Sequence, residues 1–559
     1  MPSSNPIMAF RIIRAFLVVI VVAVMASSCG GLPTASSPST KPRPSVPTSS
    51  SPNTASDRSA LPPELAELSR MLRAPLPAPA ADVRGLIELP KDYPVNRALA
   101  LNRLNQYRAA AGLTLYVYDP ALTAMGQAHA EYLLANAAAK MLVGHFEIAS
   151  NKYYSKGGDE AARTSGICPG AADPLSALDG LMSMTFHRMQ FLRPEETRVG
   201  LGFAYDPASG GGGVLFVTRK AEGGKAISIH PPRFIVFPPD GFDDALSTFG
   251  AGEFPDPRPG VRQGDPPTGY PITISLDWDD VKSFENAEVD VTNARGESVP
   301  VWLSYPGNPA VASPDMRIYS GDAASISQAY RDNFNAVFIL PKEPLEQGSS
   351  YTVRAALRIA GKTEKLSWVF KTRGARLWTV QPNPADPRQD LDFAFKNASK
   401  GDTIKLAAGE YLLRTEINLS KPIRIIGEPR RTILRYSGNK DLAALAFSAA
   451  AVLQGIDFSG AVSMYLGRSA CLLLEDCRFS YAVQEASLAG CERGSSLTVE
   501  RCDFAAYASP VLAYFLDQPA DAATASLYIG VGNIFGAPGW DGKHSYGSGL
   551  ERELSHLLN

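Results

Sequence analysis

The stretch Val95–Leu113 reads "VNRALALNRLNQYRAAAGL". Leu101, Leu104 and Tyr107 recur at the spacing of one helical face, and Gly112 is a good helix C-terminus. A second helix opens at "YDPAL", with Asp119 as cap and Pro120 in the first turn. Leu122, Met125, His129 and Tyr132 then share a face. A third helix follows "AADP", where Asp173 and Pro174 repeat that device before "LSALDGLMSMTFHRM". "TRVGLGFAYD" and "GGVLFVTRK" read as a strand pair around a glycine-rich turn. Helices first and strands last predict a three-layer α+β sandwich over 95–221.

Outward from this unit the pattern changes twice. A Pro-rich lead-in brings the chain to alternating strands between about Pro271 and Arg373, among them "YPITISLDW", "VPVWLSY" and "KLSWVFKTRG". Short strands with turn residues every ten or so positions predict an immunoglobulin-like β-sandwich over 230–375, with a spacing or docking role. The last third repeats: "VLQGIDF", "LLLEDCRF" and "LTVERCDF" end at Phe458, Phe479 and Phe504, and a weaker "YIGVGNIF" ends at Phe535. Ile456, Cys477 and Cys502 hold the same place two before the Phe. Each coil cannot bury its face alone, so stacking must supply the core. Upstream, "GDTIKLAAGEYLL", "INLSKPIRIIGE" and "TILRYSG" look like the opening coils of pectate-lyase-like proteins, and a right-handed parallel β-helix is expected over 377–545. Cys477 and Cys502 should stack as inward neighbours, as packed thiols rather than a bond. Glu475 and Glu500, four before the Phe, are read as solvated residues beside a turn.

At the other end, "MAFRIIRAFLVVIVVAVMASSCGG" carries Arg11 and Arg14, an apolar run from Ala15 to Met25, and small residues up to Cys29. Eleven apolar residues are too few to span a bilayer comfortably, so 1–29 reads as a signal peptide. "ASSC" resembles a bacterial lipobox, which implies acyl chains on Cys29 after cleavage and a membrane partner reached through that lipid. Gly30 is not the Asp of inner-membrane retention, which favours an outer-membrane or cell-surface address. Residues 30–90 are Pro- and Ser-rich and read as a disordered tether, with one short helix in "LPPELAELSRMLRAP". At 559 residues the chain holds three or four units. A net charge of −2 and a pI near 6.4 give no footprint for nucleic acid.

"LNRLNQYRAAAGL", "DPALTAMGQAHAEYL", "GHFE", "LDGLMSMTFHR" and "VGLGFA" together resemble the CAP superfamily (cysteine-rich secretory, antigen and pathogenesis-related proteins), in its bacterial branch. The resemblance implies a cleft lined by two histidines, here His145 and His187, with one or two acids. Some members bind divalent metal at the pair, others bind sterols or lipids, and no common reaction is implied. Bacterial members carry a "GEN"-like acid between the histidines. "GGDEAA" offers Glu160 for it, yet "YYSKGGDEAARTSGI" better matches the preceding family segment. On that alignment the acid should fall within "CPGAADP", which holds only the capping Asp173. The expected cleft is then His145, Glu147 at the rim and His187, with Glu160 farther off.

Two imidazoles and a carboxylate suit zinc with an open fourth position, and a His–Glu pair can move protons. The alternative is that both histidines are polar residues holding loops together. His129, on the apolar face of its helix, reads as a hydrogen-bonded core histidine. Arg188 should fix the loop after His187, and the lone Cys168 reads as structural. No catalytic residue is assigned, since no Ser-His-Asp arrangement or "HExxH" is present. Three readings stay open. The first is an envelope lipoprotein binding lipid, polysaccharide or another envelope ligand, its β-helix a scaffold or carbohydrate contact. The others are a metal-assisted hydrolase of envelope material, with zinc or another divalent ion, and a structural adhesin-like protein.

Overall fold

A computed structural model of the chain describes residues 63–79, 85–137, 144–206, 209–220, 232–250, 253, 256–261, 265–311, 323–384, 390–414, 416–437, 444–460, 462–480, 488–504, 512–515, 525–535, 545–546 and 550–553. The expected signal peptide, the expected lipid attachment at Cys29 and the expected tether up to 62 lie outside them. No helix among the described residues is long and apolar enough to cross a membrane. The described residues form two compact units, one within 76–380 with 384 and 390–403, the other within 404–553 with 381–383 and 63–75.

The first unit begins with the helix Val95–Ala110, ended by Gly112 at φ +69°. The helix Pro120–Asn136 is capped as its sequence predicts, the Asp119 carboxylate accepting from the N–H groups of Ala121 and Leu122. A four-stranded sheet runs in the order Val117–Tyr118, Glu196–Asp206, Gly211–Lys220, Ser165–Pro169. Its strands alternate. Val199, Leu201, Val214 and Phe216 face Leu101, Leu104 and Leu178, while Leu215 faces Ala130 and Leu133 of the helix Pro120–Asn136. Helices on both faces give the three-layer α+β arrangement. The "GLG" of the second strand is a contact requirement, because a Cβ on Gly202 would lie 2.1 Å from the Gly126 carbonyl carbon. The third predicted helix is two, Pro174–Met182 and Thr185–Phe191, broken at Ser183–Met184. Asp173 caps the first of them through the Ser176 N–H.

The strand run expected as an immunoglobulin-like sandwich makes two antiparallel sheets in the same unit. One is ordered Ile235–Phe237, Ile272–Ser275, Ala336–Pro341, Val301–Ser304; the other is ordered Lys362–Lys371, Ser350–Ile359, Phe284–Asn293. The Pro-rich lead-in is part of this fold, since Ile235–Phe237 pairs with Ile272–Ser275. One hydrophobic core continues from Leu101 and Leu104 through Phe237 and Ile272 to Val353 and Phe370. Tyr107 meets Phe237 edge-on at 5.6 Å between ring centroids.

Charges cross the same boundary. Asp244 is buried, and it accepts from Arg103 at 2.6 Å, from Arg373 at 2.7 Å and from Arg376. Asp179 of the helix Pro174–Met182 bonds the Tyr107 hydroxyl at 2.6 Å and Arg373 at 3.0 Å. Burial alone would push the Asp244 carboxyl up, but the three guanidinium groups outweigh it and hold the group well below the usual carboxylate range.

The second unit is a parallel β-helix with three sheets that each gain one strand per coil. Phe458, Phe479, Phe504 and Phe535 stack as a ladder at 4.9, 4.9 and 5.3 Å, with ring planes within 8° of parallel. Gly455, Asp476 and Arg501 take positive φ at the corner before each inward apolar residue, so one bend recurs in these three coils. Cys477 and Cys502 are buried free thiols on adjacent coils, directed at the carbonyls of Leu453 and Leu474. The helix expected in "LPPELAELSRMLRAP" forms at Pro63–Arg73. It is packed rather than part of a loose tether: Leu65, Leu68 and Met71 bury themselves against Val452, Leu473 and Tyr528. Glu475 and Glu500 are not solvated. They are register neighbours, each 4% exposed, and Arg501 pairs with both.

Removing one partner from a buried ion cluster leaves uncompensated charge. Asp244→Asn should therefore cost about 3–5 kcal/mol of unfolding free energy, read by denaturant titration. A loss below about 1 kcal/mol would mean that the cluster is screened as a surface network is.

Candidate functional site

The described segment from Gly144 to Ser155 is organised by a buried histidine of the helix Pro120–Asn136. The His129 ring is fully buried, with Nδ1 at 3.0 Å from Glu147 Oε1 and Nε2 at 3.0 Å from the Gly144 carbonyl. It stacks on Tyr132 at 5.7 Å. Glu147 was expected at the cleft rim and is instead inside. Its Oε2 accepts the Ser155 N–H at 2.7 Å, and its own N–H donates to Asp159 at 2.8 Å. The "KGGDE" run explains how this fits. Ser155 caps the helix Lys156–Thr164, and a Cβ on Gly158 would stand 2.2 Å from Glu147 Oε1. Only glycine leaves space for the carboxylate there.

Glu160 lies on the exposed side of that helix and pairs with Arg219 at 2.5 Å. Asp159 is tied to Arg163 at 3.0 Å. Burial works against its charge, but Arg163 and the Glu147 N–H prevail and lower its pKa. Cys168 is half-buried, and burial raises its thiol pKa, as for a structural cysteine.

His145 is half-buried, and its Nδ1–H donates to the Ala162 carbonyl at 3.1 Å. Burial lowers its pKa; His187 and His129 lower it further, against the opposing Ala162 bond. His187 therefore lies within electrostatic reach of His145. His187 sits in the first turn of the helix Thr185–Phe191, with Nδ1 at 3.1 Å from Glu253 Oε1. Glu253 also accepts from the N–H groups of Thr185 and Phe186, and from the Thr185 hydroxyl at 2.6 Å. Motif reading missed Glu253, which lies 66 residues from His187; its only local sign is an acid isolated among Gly and Pro. Arg188, expected to steady the next loop, reaches farther. It is buried over the rings of Phe237 and Tyr270 and donates to the carbonyls of Met182 and Pro271.

The pair thus presents two imidazoles, each held through Nδ1. Neither Nε2 has a hydrogen-bond partner among the described residues. Zinc sites use three or four protein ligands. Among the described residues no three of His, Cys, Asp and Glu are grouped to hold a metal. Glu147 and Glu160 are occupied by His129 and Arg219. This donor set does not fit a resident zinc.

Because the folded protein disfavours protonated His145, acid should weaken the fold through this group. Stability is unaffected above the ordinary histidine value of 6.5, falls as the pH drops below it, and levels off once His145 protonates at its lowered pKa. The slope of the thermal midpoint against pH, measured for wild type and His145→Asn, checks this. The variant should be flatter between about pH 7 and 5, and equal slopes would refute the assignment.

A family model described as the cysteine-rich secretory protein family, CAP, matches residues 101–218. No curated protein and no solved structure matches the chain. The matched segment begins in the helix Val95–Ala110, ends in the strand Gly211–Lys220 and carries His145 and His187. Residues 101–218 are a CAP domain of the cysteine-rich secretory protein family.

Proposed function

We propose that this is an exported envelope lipoprotein whose His145–His187 cleft binds a hydroxyl-bearing envelope ligand, a polysaccharide or a lipid headgroup. The observation that carries the reading is the division of labour around the cleft. Glu147, Asp159, Glu160 and Glu253 all spend oxygens on internal donors, while both Nε2 atoms remain without a partner among the described residues. A general acid or base must be within hydrogen-bond reach of the proton it moves. Here the groups left over are ring nitrogens, and neutral His145 accepts a hydrogen bond through Nε2. A CAP domain joined to a β-helix supports an address outside the cytoplasm. The two antiparallel sheets serve as an immunoglobulin-like support, and the β-helix as a scaffold or carbohydrate contact.

Binding of a soluble peptidoglycan tetrasaccharide and of phosphatidylglycerol vesicles should be compared across wild type, His145→Ala and His187→Ala. One probe should bind the wild type and weaken about tenfold in each variant, the loss expected for one hydrogen bond. Equal binding by all three proteins would remove the cleft from the function. Zinc titration separates the metal reading: three-ligand affinity at the pair would restore it.

Anchoring rests on Cys29. Radiolabelled palmitate should enter the full chain and not Cys29→Ala, and equal labelling of both would leave the protein without a lipid anchor.

A further inference from the structure

The helix that carries His187 is fixed by residues the family match does not include. Residues 101–218 contain His187, yet Glu253 lies beyond them. Glu253 is 5% exposed and uses both carboxylate oxygens on this one helix. Oε2 takes the Thr185 N–H at 2.8 Å and the Thr185 hydroxyl; Oε1 takes the Phe186 N–H at 2.6 Å, the His187 N–H at 3.2 Å and His187 Nδ1 at 3.1 Å. The other side is held by aromatic packing from the helix Ala323–Arg331, the turn Asn333–Asn335 and the strand Ala336–Pro341. Phe186 meets Phe334 at 4.8 Å and Tyr330 and Phe338 at 5.6 Å each. Phe334 sits in a left-handed turn, at φ +54° between Asn333 and Asn335 at +47° and +57°. Such a conformation is costly for a bulky residue and persists only where the surroundings over-determine it.

We infer that Glu253 is the positioning residue of the cleft: it holds the His187 ring with Nδ1 protonated and Nε2 turned to the ligand. The reason is chemical. A carboxylate beside an imidazole nitrogen accepts its proton in a hydrogen bond, which selects one tautomer and one ring orientation. No group inside the matched segment makes that bond to His187 among the described residues. The cleft is therefore completed from outside its own domain, and its functional unit extends to the sheets. This deepens the binding reading and rests on it only for the word ligand, since the test below is made without one.

The full chain, labelled with ¹⁵N-histidine, carries six histidines, and His187→Asn assigns the His187 signals. The wild type should show a single His187 tautomer with an exchange-protected, downfield Nδ1–H. In Glu253→Gln that proton should shift upfield and lose protection, because a neutral amide replaces the carboxylate, while the His129 signals stay. Thr185→Ala removes one cap bond but leaves Oε1 in place, so its His187 signals should match the wild type. A His187 resonance unchanged in Glu253→Gln, or displaced equally in Thr185→Ala, would overturn the assignment. If Glu253→Gln does not fold, the wild-type spectrum still decides, because an unprotected or mixed-tautomer His187 is incompatible with the proposal. Loss of probe binding in the preceding section has no bearing on these signals, so the two readings fail separately.

Discussion

Asp244 is one carboxylate with three arginines around it, and the first unit is arranged about that imbalance. Arg103 comes from the first helix of the CAP domain, Arg373 from the end of the strand run, and Arg376 from the strand that follows. A buried ion pair is weak evidence for stability, since desolvation consumes much of the attraction. Its effect here is on position. Charges that can be neutralised only in one arrangement oblige the CAP helices and the antiparallel sheets to meet in one way. The apolar residues around them are less selective, because Tyr107, Phe237 and Phe242 would tolerate small shifts that the charges would not.

That constraint is what lets distant residues reach the helix of His187. Glu253 lies between strands of the sheets and touches the helix of His187 with both oxygens only because those parts share a core. Arg188 works alongside it. Its guanidinium joins the Met182 carbonyl, where the preceding helix ends, to the Pro271 carbonyl at the start of the next strand. His187 is thus flanked by a residue held from below and a helix N-terminus capped from outside. The strand run does more than space the domains apart.

How legible this was in the sequence follows the range of each interaction. The caps Asp119 and Asp173 bond two or three residues ahead, and both were readable from the chain. The phenylalanine ladder was readable because repetition places each ring over the last. His129 was readable as a core residue from its helical face. The break at Ser183–Met184 was not, for a nine-residue and a seven-residue helix share one apolar period. Glu475 and Glu500 looked solvated because acids beside a turn usually are. Arg501, at the following corner, and register pairing between the two bury them instead. Glu147 was misplaced for a similar reason, since nothing local says that Gly158 clears a space for its carboxylate.

The missing "GEN" acid then has a physical counterpart. A carboxylate entering a half-buried cleft must find donors or remain charged and unpaired, which is costly. Here the acids of this segment are satisfied within the domain: Glu147 takes His129 of the preceding helix and the Ser155 N–H, Asp159 takes Arg163 and the Glu147 N–H, and Glu160 takes Arg219 of the strand Gly211–Lys220. The one acid that meets a cleft histidine comes from elsewhere, and its other bonds fix it as a helix cap. Such a carboxylate can orient a ring and select its tautomer, and both of its oxygens are committed to donors of the helix. What remains without a hydrogen-bond partner among the described residues is the Nε2 of each of the two imidazoles.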